Sequence, residues 1–419
     1  MRDVRGGNGI GRNFSLLWSA SSISMLGDGM RVAALPLLAA TMAGSAAVVS
    51  AVTVAGHLPW LLFSLFGGVI VDHFDRVRLL WLAGLAQAVL VGAFAVWMFL
   101  GTPDLISLVL LALLMGCVGI VHLTASNALL PDVVGSADLE RANARLQGSS
   151  VVALQLLGPL LGTAVFALSH SAPFAIDAAS FLCAALLVRL LAERMPPTSA
   201  KTGLTGKKFV SDVGEGIRWL WSHPGLRLLA LELGLAALAL QLGTTVMVLL
   251  VTKTLGAPAT VYGLVLATGA AGGLIASAVA GRLRPLLGVT GIIVLSITTM
   301  GASLLIAGAG SSVVLVAAMY GLGSFGVVLW SIQSASLRQR LIPRELRGRV
   351  GSVYRLIGWG GVPIGAALSG VLATAFGVRV PFFVGGTLLL LSLALVPRFS
   401  NLRAEDIPAT APNTTNPEH

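Results

Sequence analysis

The sequence predicts an all-α integral membrane protein with twelve transmembrane helices, arranged as two pseudo-symmetric six-helix bundles. Three observations lead to this prediction. Of the 419 residues, 56% are hydrophobic and only 11% are charged, whereas about a quarter of the residues in a soluble domain are charged. Long runs without charge reach the ~20 residues that a helix needs to cross a bilayer. A loop-and-helix segment also occurs twice, about half a chain length apart.

The repeated segment begins at a proline, continues through an arginine-rich loop and ends in an apolar run that contains proline and glycine. Matching Pro131 with Pro343 and Pro159 with Pro363 keeps a nearly constant offset along the chain. Such a repeat in an apolar chain predicts two like halves with a path between them.

Twelve apolar runs are predicted to be spans, because each reaches the minimum of about 17 residues for a membrane-crossing helix. In chain order the runs are 14–40, 46–71, 79–100, 105–128, 146–169, 173–192, 226–251, 260–281, 289–309, 312–335, 350–375 and 380–397. The first six form a predicted N-terminal bundle (1–192) and the last six a predicted C-terminal bundle (226–400).

The two bundles are joined by a predicted cytoplasmic connector, residues 193–225. It begins with a flexible Pro-, Thr-, Gly- and Lys-rich piece and continues as an amphipathic helix that ends near Trp219 and Trp221. Such a helix is expected to lie along the membrane face. Residues 401–419 are polar and rich in Pro and Thr, which predicts a disordered cytoplasmic tail.

The net charge of +10 is explained by orientation in the membrane. If the N-terminus is cytoplasmic, all of the 27 Lys and Arg except Arg31, Lys253 and Arg379 lie on the cytoplasmic side or at its edge. This asymmetry follows the positive-inside rule. It predicts that both termini are cytoplasmic and that the basic loops contact anionic membrane lipids, not nucleic acid. The scarcity of lysine relative to arginine suggests a bacterial protein, and therefore the bacterial inner membrane.

Charged side chains inside spans are the sharpest site candidates, because each costs roughly 2.5–3.5 kcal/mol at the centre of a span. Ser21, Ser24, Asp28 and Arg31 lie on one face of the first span and predict a polar stripe along a water-filled cavity. Asp28 and Arg31 are three residues apart and can neutralise each other. Asp177 in the sixth span is a second possible partner. Two interpretations stay open, a role in proton coupling and a purely structural ion pair.

Other polar residues inside spans are further site candidates. Glu232 in the seventh span is interpreted as a proton-carrying carboxylate that faces the cavity, with a position at the membrane interface as the alternative. His57 and His122 could titrate near neutral pH, although a lone histidine in a bundle more often has a packing role. Further candidates for substrate contact are Gln155, Gln241, Trp330 and Gln333.

The loop after the second span reads GGVIVDHFDRVR from Gly67 to Arg78. It resembles the signature loop of the major facilitator superfamily, G-x-x-x-D-(R/K)-x-G-(R/K)-(R/K). His73 and Asp75 depart from that pattern. The matching positions are Gly68, Asp72, Arg76 and Arg78. The resemblance implies a conformational latch that holds the cytoplasmic side closed in the outward-facing state. The alternative is a solvated hairpin whose charges only follow the positive-inside rule.

The segments PDVV…ADLERAN, IDAASF, EGIRWLWSHPGLR and RELRGRVGSVYRL resemble the branch of that superfamily that contains enterobactin exporters and macrolide-efflux proteins. The resemblance extends from Phe14 to about Pro397. Gly158, Pro159 and Gly162 resemble the Gly-Pro helix motif of the superfamily's antiporters. A similar gate-helix device is predicted at Pro363 and Gly365, with a packing kink as the alternative in both helices. The predicted cytoplasmic gate loops contain Arg141, Arg145, Glu345, Arg347 and Arg349.

The resemblance implies a secondary active transporter, and the narrower branch favours export. We therefore expect a monomer that exports small, mostly apolar molecules (a drug, a siderophore or a secondary metabolite) by alternating access with proton antiport. No cofactor or metal site is predicted. An importer with the same fold is the alternative. A membrane enzyme or receptor is disfavoured, because the sequence has no HExxH, GxSxG or phosphate-binding motif and no soluble output domain.

Overall fold

The computed structural model describes residues 11–63, 74–101, 103–194, 206–343 and 346–399. Every regular element in these ranges is helical. The helices are α1 (Arg12–Ala43), α2 (Ala46–Phe63), α3 (Arg76–Leu100), α4 (Leu105–Val133), α5 (Leu139–Leu168), α6 (Ala172–Ala192), α7 (Gly206–Ser222), α8 (Pro224–Thr254), α9 (Ala259–Ala309), α10 (Val313–Leu341), α11 (Arg347–Phe376) and α12 (Val380–Ser392).

Ten of the described helices are long and apolar enough to cross a membrane: α1 to α6 and α8 to α11. Helix α12 is shorter, and it continues as a 3₁₀ segment, Leu393–Phe399. The protein is therefore a multi-pass integral membrane protein.

Helix α9 combines the predicted eighth and ninth spans in 51 residues. The expected loop at 282–288 is helical up to its last residue, Gly288, whose φ of 64° and ψ of −175° turn the chain. Glycine tolerates this positive φ because it has no Cβ. The prediction of a separating loop was therefore wrong for most of its length. Arg282 and Arg284 are good helix formers, and they extend the first limb instead of ending it.

Helix α5 contains a π-helical segment, Ser150–Leu157, just before Gly158 and Pro159. Proline lacks a backbone N–H, and its ring crowds the carbonyl four residues earlier. A π turn widens the helix at that point and accommodates the proline. The predicted gate helix is thus irregular where its Gly-Pro pair stands.

Among the first six helices, α6 packs against α1 and α3, whereas α8 packs against α11 among the later ones. The two groups of helices meet along two seams, α2 with α11 and α5 with α9. Glycines make these contacts close: a Cβ built on Gly263 of α9 would lie 2.7 Å from the carbonyl oxygen of Pro159. Contact through small residues is expected where lipid provides no hydrophobic drive for helix association.

The connector helix α7 packs across the beginning of α11. A Cβ at Gly216 would lie 2.8 Å from the carbonyl oxygen of Arg349, so the backbones are in contact. Leu220 is fully buried, while Ile217 and Trp221 are exposed. Helix α7 is therefore held on one face and leaves apolar side chains on the other. Residues 195–205 of the predicted connector and the predicted tail, 401–419, lie outside the described residues.

Candidate functional site

A cavity of about 550 Å³ lies between the two groups of helices. Its wall is formed by α1 to α5 on one side and by α8 and α9 on the other. The volume falls within the range of small-molecule pockets, ~300–1,000 Å³. Apolar and aromatic side chains form much of the wall, including Met25, Trp60, Met115 and Leu266.

The polar stripe of α1 faces this cavity, as the spacing predicts. Its Ser21, Ser24, Asp28 and Arg31 all line the wall. Polar groups of the later helices also line this cavity. They include Gln241 and Thr245 of α8, where Gln241 Nε2 donates to Thr245 Oγ1 at 2.9 Å.

Arg31 binds two carboxylates. Its Nε donates to Asp177 Oδ2 at 2.8 Å, and its Nη2 donates to Asp28 Oδ1. Asp177 has a side chain that is 0% exposed, against 27% for Asp28 and 14% for Arg31. Asp28 is thus the carboxylate that a ligand or water in the cavity can reach, and Asp177 is its buried counterpart.

The cluster has two carboxylates for one guanidinium, so one negative charge is not balanced within it. Asp177 Oδ1 has no hydrogen-bond partner within the described ranges. Ser180 donates to the backbone carbonyl oxygen of Asp177 at 2.8 Å, and Asp177 Oδ2 accepts from Arg31. A buried polar atom without a partner is rare in folded proteins.

Gln87 of α3 and His122 of α4 also line the cavity. In the part of the chain that the structure describes, Gln87 Oε1 and His122 Nδ1 are buried without partners. Sequence reasoning did not select Gln87. Its position as a lone amide inside the apolar third span was the available signal, because polar groups in spans usually face a cavity or a partner. His57 also lines the cavity, and its Nδ1 lies within hydrogen-bond distance, 2.9 Å, of the carbonyl oxygen of Thr53.

A second cavity of about 470 Å³ adjoins the first, and both are lined by Val32, Leu154, Thr244 and Leu266. It extends between α5, α8, α9 and α10 and reaches Gln155 and Tyr320. The two spaces therefore form a connected region along the seam between α5 and α9.

The predicted gate-helix glycines lie at backbone contacts. A Cβ at Gly158 would stand 2.5 Å from Gly29 Cα, and one at Gly162 would stand 2.6 Å from Met30 Cα. On α11, Gly365 packs against α8, where its Cβ would lie 3.0 Å from Gln241 Cβ. Pro363, two residues earlier, is buried. These residues set how closely α5 and α11 approach their neighbours.

Glu232 does not line either cavity. Its side chain is buried, and its Oε1 accepts a hydrogen bond from Ser392 of α12 at 2.8 Å. The expectation that Glu232 faces the cavity was wrong. The face of α8 that carries Glu232 packs against α12 instead. The helical periodicity of α8 alone could not indicate which helix lies against that face.

The predicted latch is described only in part. Arg76 Nη1 donates to Asp132 Oδ2 at 2.7 Å and to the carbonyl oxygen of Ala128 at 3.2 Å, which ties α3 to the end of α4. Asp75 caps α3, with Oδ1 accepting from the backbone N–H of Arg78 at 2.7 Å. An aspartate at this position satisfies an otherwise unpaired helix N–H, which explains the departure from the glycine pattern. Gly68, Asp72 and Glu345 lie outside the described residues.

The predicted gate loops differ in their contacts. Arg347 donates to the carbonyl oxygens of Gln339 at 2.7 Å and Ile342 at 3.1 Å, so it caps the end of α10. Arg349 Nη1 pairs with Glu215 Oε2 of α7 at 2.5 Å. In the first copy, Arg141 and Arg145 are exposed on α5. The second copy is thus anchored to its surroundings by both arginines.

The profile of the transmembrane secretion effector family matches residues 11–419. The chain belongs to this family of major facilitator superfamily transporters. It is 26% identical over 395 residues to a multidrug efflux pump, Tap, of Mycolicibacterium fortuitum, with 92% of this chain and 96% of the relative covered. It is also 26% identical over 406 residues to macrolide efflux protein A of Streptococcus pyogenes. That alignment covers 94% of this chain and 97% of the relative.

The transporter has the fold of a bacterial homologue of the iron transporter ferroportin. The inward-facing structure of that protein matches with a TM-score of 0.76 at 20% identity, covering 93% of this chain and 98% of the other. Its outward-facing structure matches with a TM-score of 0.61 at 21% identity, covering 93% of this chain and 100% of the other. Among the described residues of the transporter, no group of three or more His, Cys, Asp or Glu side chains could hold a metal ion.

Proposed function

We propose that this transporter exports small, mostly apolar molecules by alternating access and that proton entry drives the export. The observation that carries the proposal is the cavity shared by the two groups of helices. Its apolar wall suits a lipophilic cargo, and one charged cluster offers a site for a proton. Two relatives of similar length, a multidrug efflux pump and a macrolide efflux protein, favour export over import.

The proposed arrangement in the membrane has twelve crossings. Helix α9 would cross twice by turning at Gly288, and α12 would cross with its 3₁₀ continuation. Residues 1–192 and 226–400 would form the two six-helix bundles, with 193–225 as the cytoplasmic connector and 401–419 as the tail. The distribution of Lys and Arg supports cytoplasmic termini in a bacterial inner membrane. We expect the transporter to work as a monomer in contact with anionic lipids.

In this arrangement the described conformation faces inward. Near the predicted outer ends of α2 and α11, a Cβ at Gly370 would lie 2.6 Å from Ser50 Cβ. Near the predicted outer end of the other seam, Gly263 closes on Pro159. Both contacts narrow a path outward, which supports an inward-facing conformation. The higher TM-score with an inward-facing structure supports the same conformation.

Asp28 is the proposed coupling carboxylate, because it is the carboxylate of the Arg31 cluster that lines the cavity. A proton on Asp28 removes the excess negative charge and leaves Arg31 paired with Asp177 alone. The charge of the cavity wall then depends on whether a proton is bound, and a lipophilic cargo and a proton can alternate at one site. Glu232 takes no part in this scheme, since Ser392 holds it at α12.

Inverted membrane vesicles from cells that overproduce the transporter test the proposal. A macrolide antibiotic and a lipophilic dye should accumulate in these vesicles when a pH gradient is imposed, and collapse of the gradient should abolish uptake. Asp28→Asn should reduce uptake at least tenfold. Asp138→Asn, a matched change just before α5 where the side chain makes no capping bond, should leave uptake unchanged.

Accumulation in intact cells but not in inverted vesicles would indicate an importer instead. Uptake by inverted vesicles that persists without a pH gradient would contradict proton coupling while retaining export.

A further inference from the structure

A third cavity, of about 330 Å³, lies between α8, α10 and α11. None of its described lining residues also lines the 550 Å³ cavity between the two groups of helices, which is called the central cavity below. Trp359 lines this side pocket and Trp60 lines the central cavity, and their rings stack with centroids 5.1 Å apart and planes 22° apart. The stacked pair is therefore part of the partition between the two spaces.

The described residues that line the side pocket include two arginines and no acid. Neither Arg338 nor Arg355 forms an ion pair with any carboxylate of the described residues. Within the described ranges, Arg355 Nη2 donates to Ser352 Oγ at 3.2 Å and Arg338 Nε donates to the carbonyl oxygen of Ser334 at 3.4 Å. Arg355 is exposed and Arg338 is half-buried, and both lie near the predicted cytoplasmic ends of their helices. The described residues thus use only part of the donor capacity of both groups, and the remainder is open to a ligand.

Three aromatic side chains, Trp330, Tyr354 and Trp359, form part of the remaining wall. The guanidinium of Arg338 lies over the ring of Tyr354 at 4.0 Å, and the hydroxyl of Tyr354 bonds Ser334 Oγ at 2.5 Å. The indole nitrogen of Trp330, whose side chain lines the pocket and is 3% exposed, has no partner within the described ranges. A buried N–H without a partner is rare, and an acidic oxygen in the pocket would satisfy it.

We infer that this side pocket binds an organic anion, in which a carboxylate or phosphate contacts Arg338, Arg355 and the Trp330 N–H. The apolar or aromatic body of the ligand packs on Tyr354 and Trp359. Arginine forms charge-assisted, bidentate bonds with such oxygens, and the aromatic wall provides area for the body of the ligand. The acidic group has two possible sources, the headgroup of an anionic lipid or a free organic acid. The site is independent of the export proposed above, because it is defined by binding alone.

Isothermal titration calorimetry of the purified full-length protein with 2-naphthoate and its neutral analogue 2-naphthylmethanol tests the site. Naphthoate should bind at least tenfold more tightly than the alcohol. Arg338→Gln should remove this preference, whereas the matched change Arg340→Gln should retain it, since Arg340 is exposed on the same helix outside the pocket. Trp330→Phe keeps the packing and removes the N–H, so it should weaken naphthoate binding severalfold without lowering the unfolding temperature.

Titrations in phosphatidylcholine nanodiscs, with and without phosphatidylglycerol, distinguish the two sources. Competition by phosphatidylglycerol that disappears in Arg338→Gln would identify a lipid headgroup as the occupant. Undiminished naphthoate binding in both membranes would identify a free acid. Equal affinity for the acid and the alcohol, or equal losses in Arg338→Gln and Arg340→Gln, would overturn the inference.

Discussion

Replacement of Arg31 by glutamine should destabilise the protein more than replacement of either of its partners. Arg31 contacts two carboxylates, and Asp177 is fully buried at 2.8 Å from it. Without the guanidinium, two acids remain close together in a largely apolar surrounding. Removal of one partner from a buried ion pair costs roughly 3–5 kcal/mol, and we expect this cost for Arg31→Gln.

The other two members of the cluster should cost less. Asp177→Asn leaves the Arg31–Asp28 pair with no net charge, and the new amide oxygen can still accept from Arg31 Nε. The expected loss is that of a hydrogen bond to a charged group, about 1.5–3 kcal/mol. Asp28 is partly exposed to the cavity, where water can replace its contacts, so Asp28→Asn should cost roughly 1 kcal/mol.

The assay is the free energy of unfolding of the purified protein in mixed micelles. The double variant Arg31→Met with Asp177→Leu provides the sharpest comparison, because replacing a buried pair by apolar side chains is often neutral or stabilising. It should be more stable than Arg31→Met alone. If the double variant is as unstable as the single one, or if Arg31→Gln costs no more than Asp28→Asn, the electrostatic reasoning is refuted.

Three further predictions concern contacts between helices. Gly158→Ala should force α5 and α1 about 1 Å apart, because carbon atoms pack at about 3.5–4.0 Å; we expect a loss of ~1–3 kcal/mol in unfolding free energy. Glu215→Arg or Arg349→Glu alone should raise amide hydrogen exchange in α7 by up to about fivefold, the effect of an exposed pair worth ~0.2–1 kcal/mol, and the double swap should reverse it. Trp60→Ala should remove a stacking energy of ~0.5–1.5 kcal/mol and widen the distance distribution between spin labels on α2 and α11.

Matched controls separate these effects from general loss of stability. Gly148→Ala meets no atom within 4 Å and should be neutral or slightly stabilising. Trp97→Ala removes an exposed ring on α3 and should leave the spin-label distances unchanged. Equal losses in Gly158→Ala and Gly148→Ala, exchange that the swap fails to lower, or equal broadening in the two tryptophan variants would contradict the respective predictions.

The sequence by itself determined the class of protein, most of the membrane-spanning helices and the face of α1 that lines the cavity. Apolar length and helical period are local properties, so hydropathy and spacing were sufficient for them. The pairing of Arg31 with Asp28 is also local, since the two residues lie one turn apart. Asp177 could be proposed as a partner because a buried charge requires compensation.

Only the tertiary structure decided which neighbouring residues each helix face contacts. Glu232 and Asp28 are both acids within spans, yet one contacts Ser392 and the other faces the cavity. The same dependence on neighbouring helices placed Gln87 in the wall and divided the central cavity from the side pocket with the stacked tryptophans. Periodicity defines a face but not its neighbour, because that neighbour belongs to a helix distant along the chain and is set by the packing of the whole bundle.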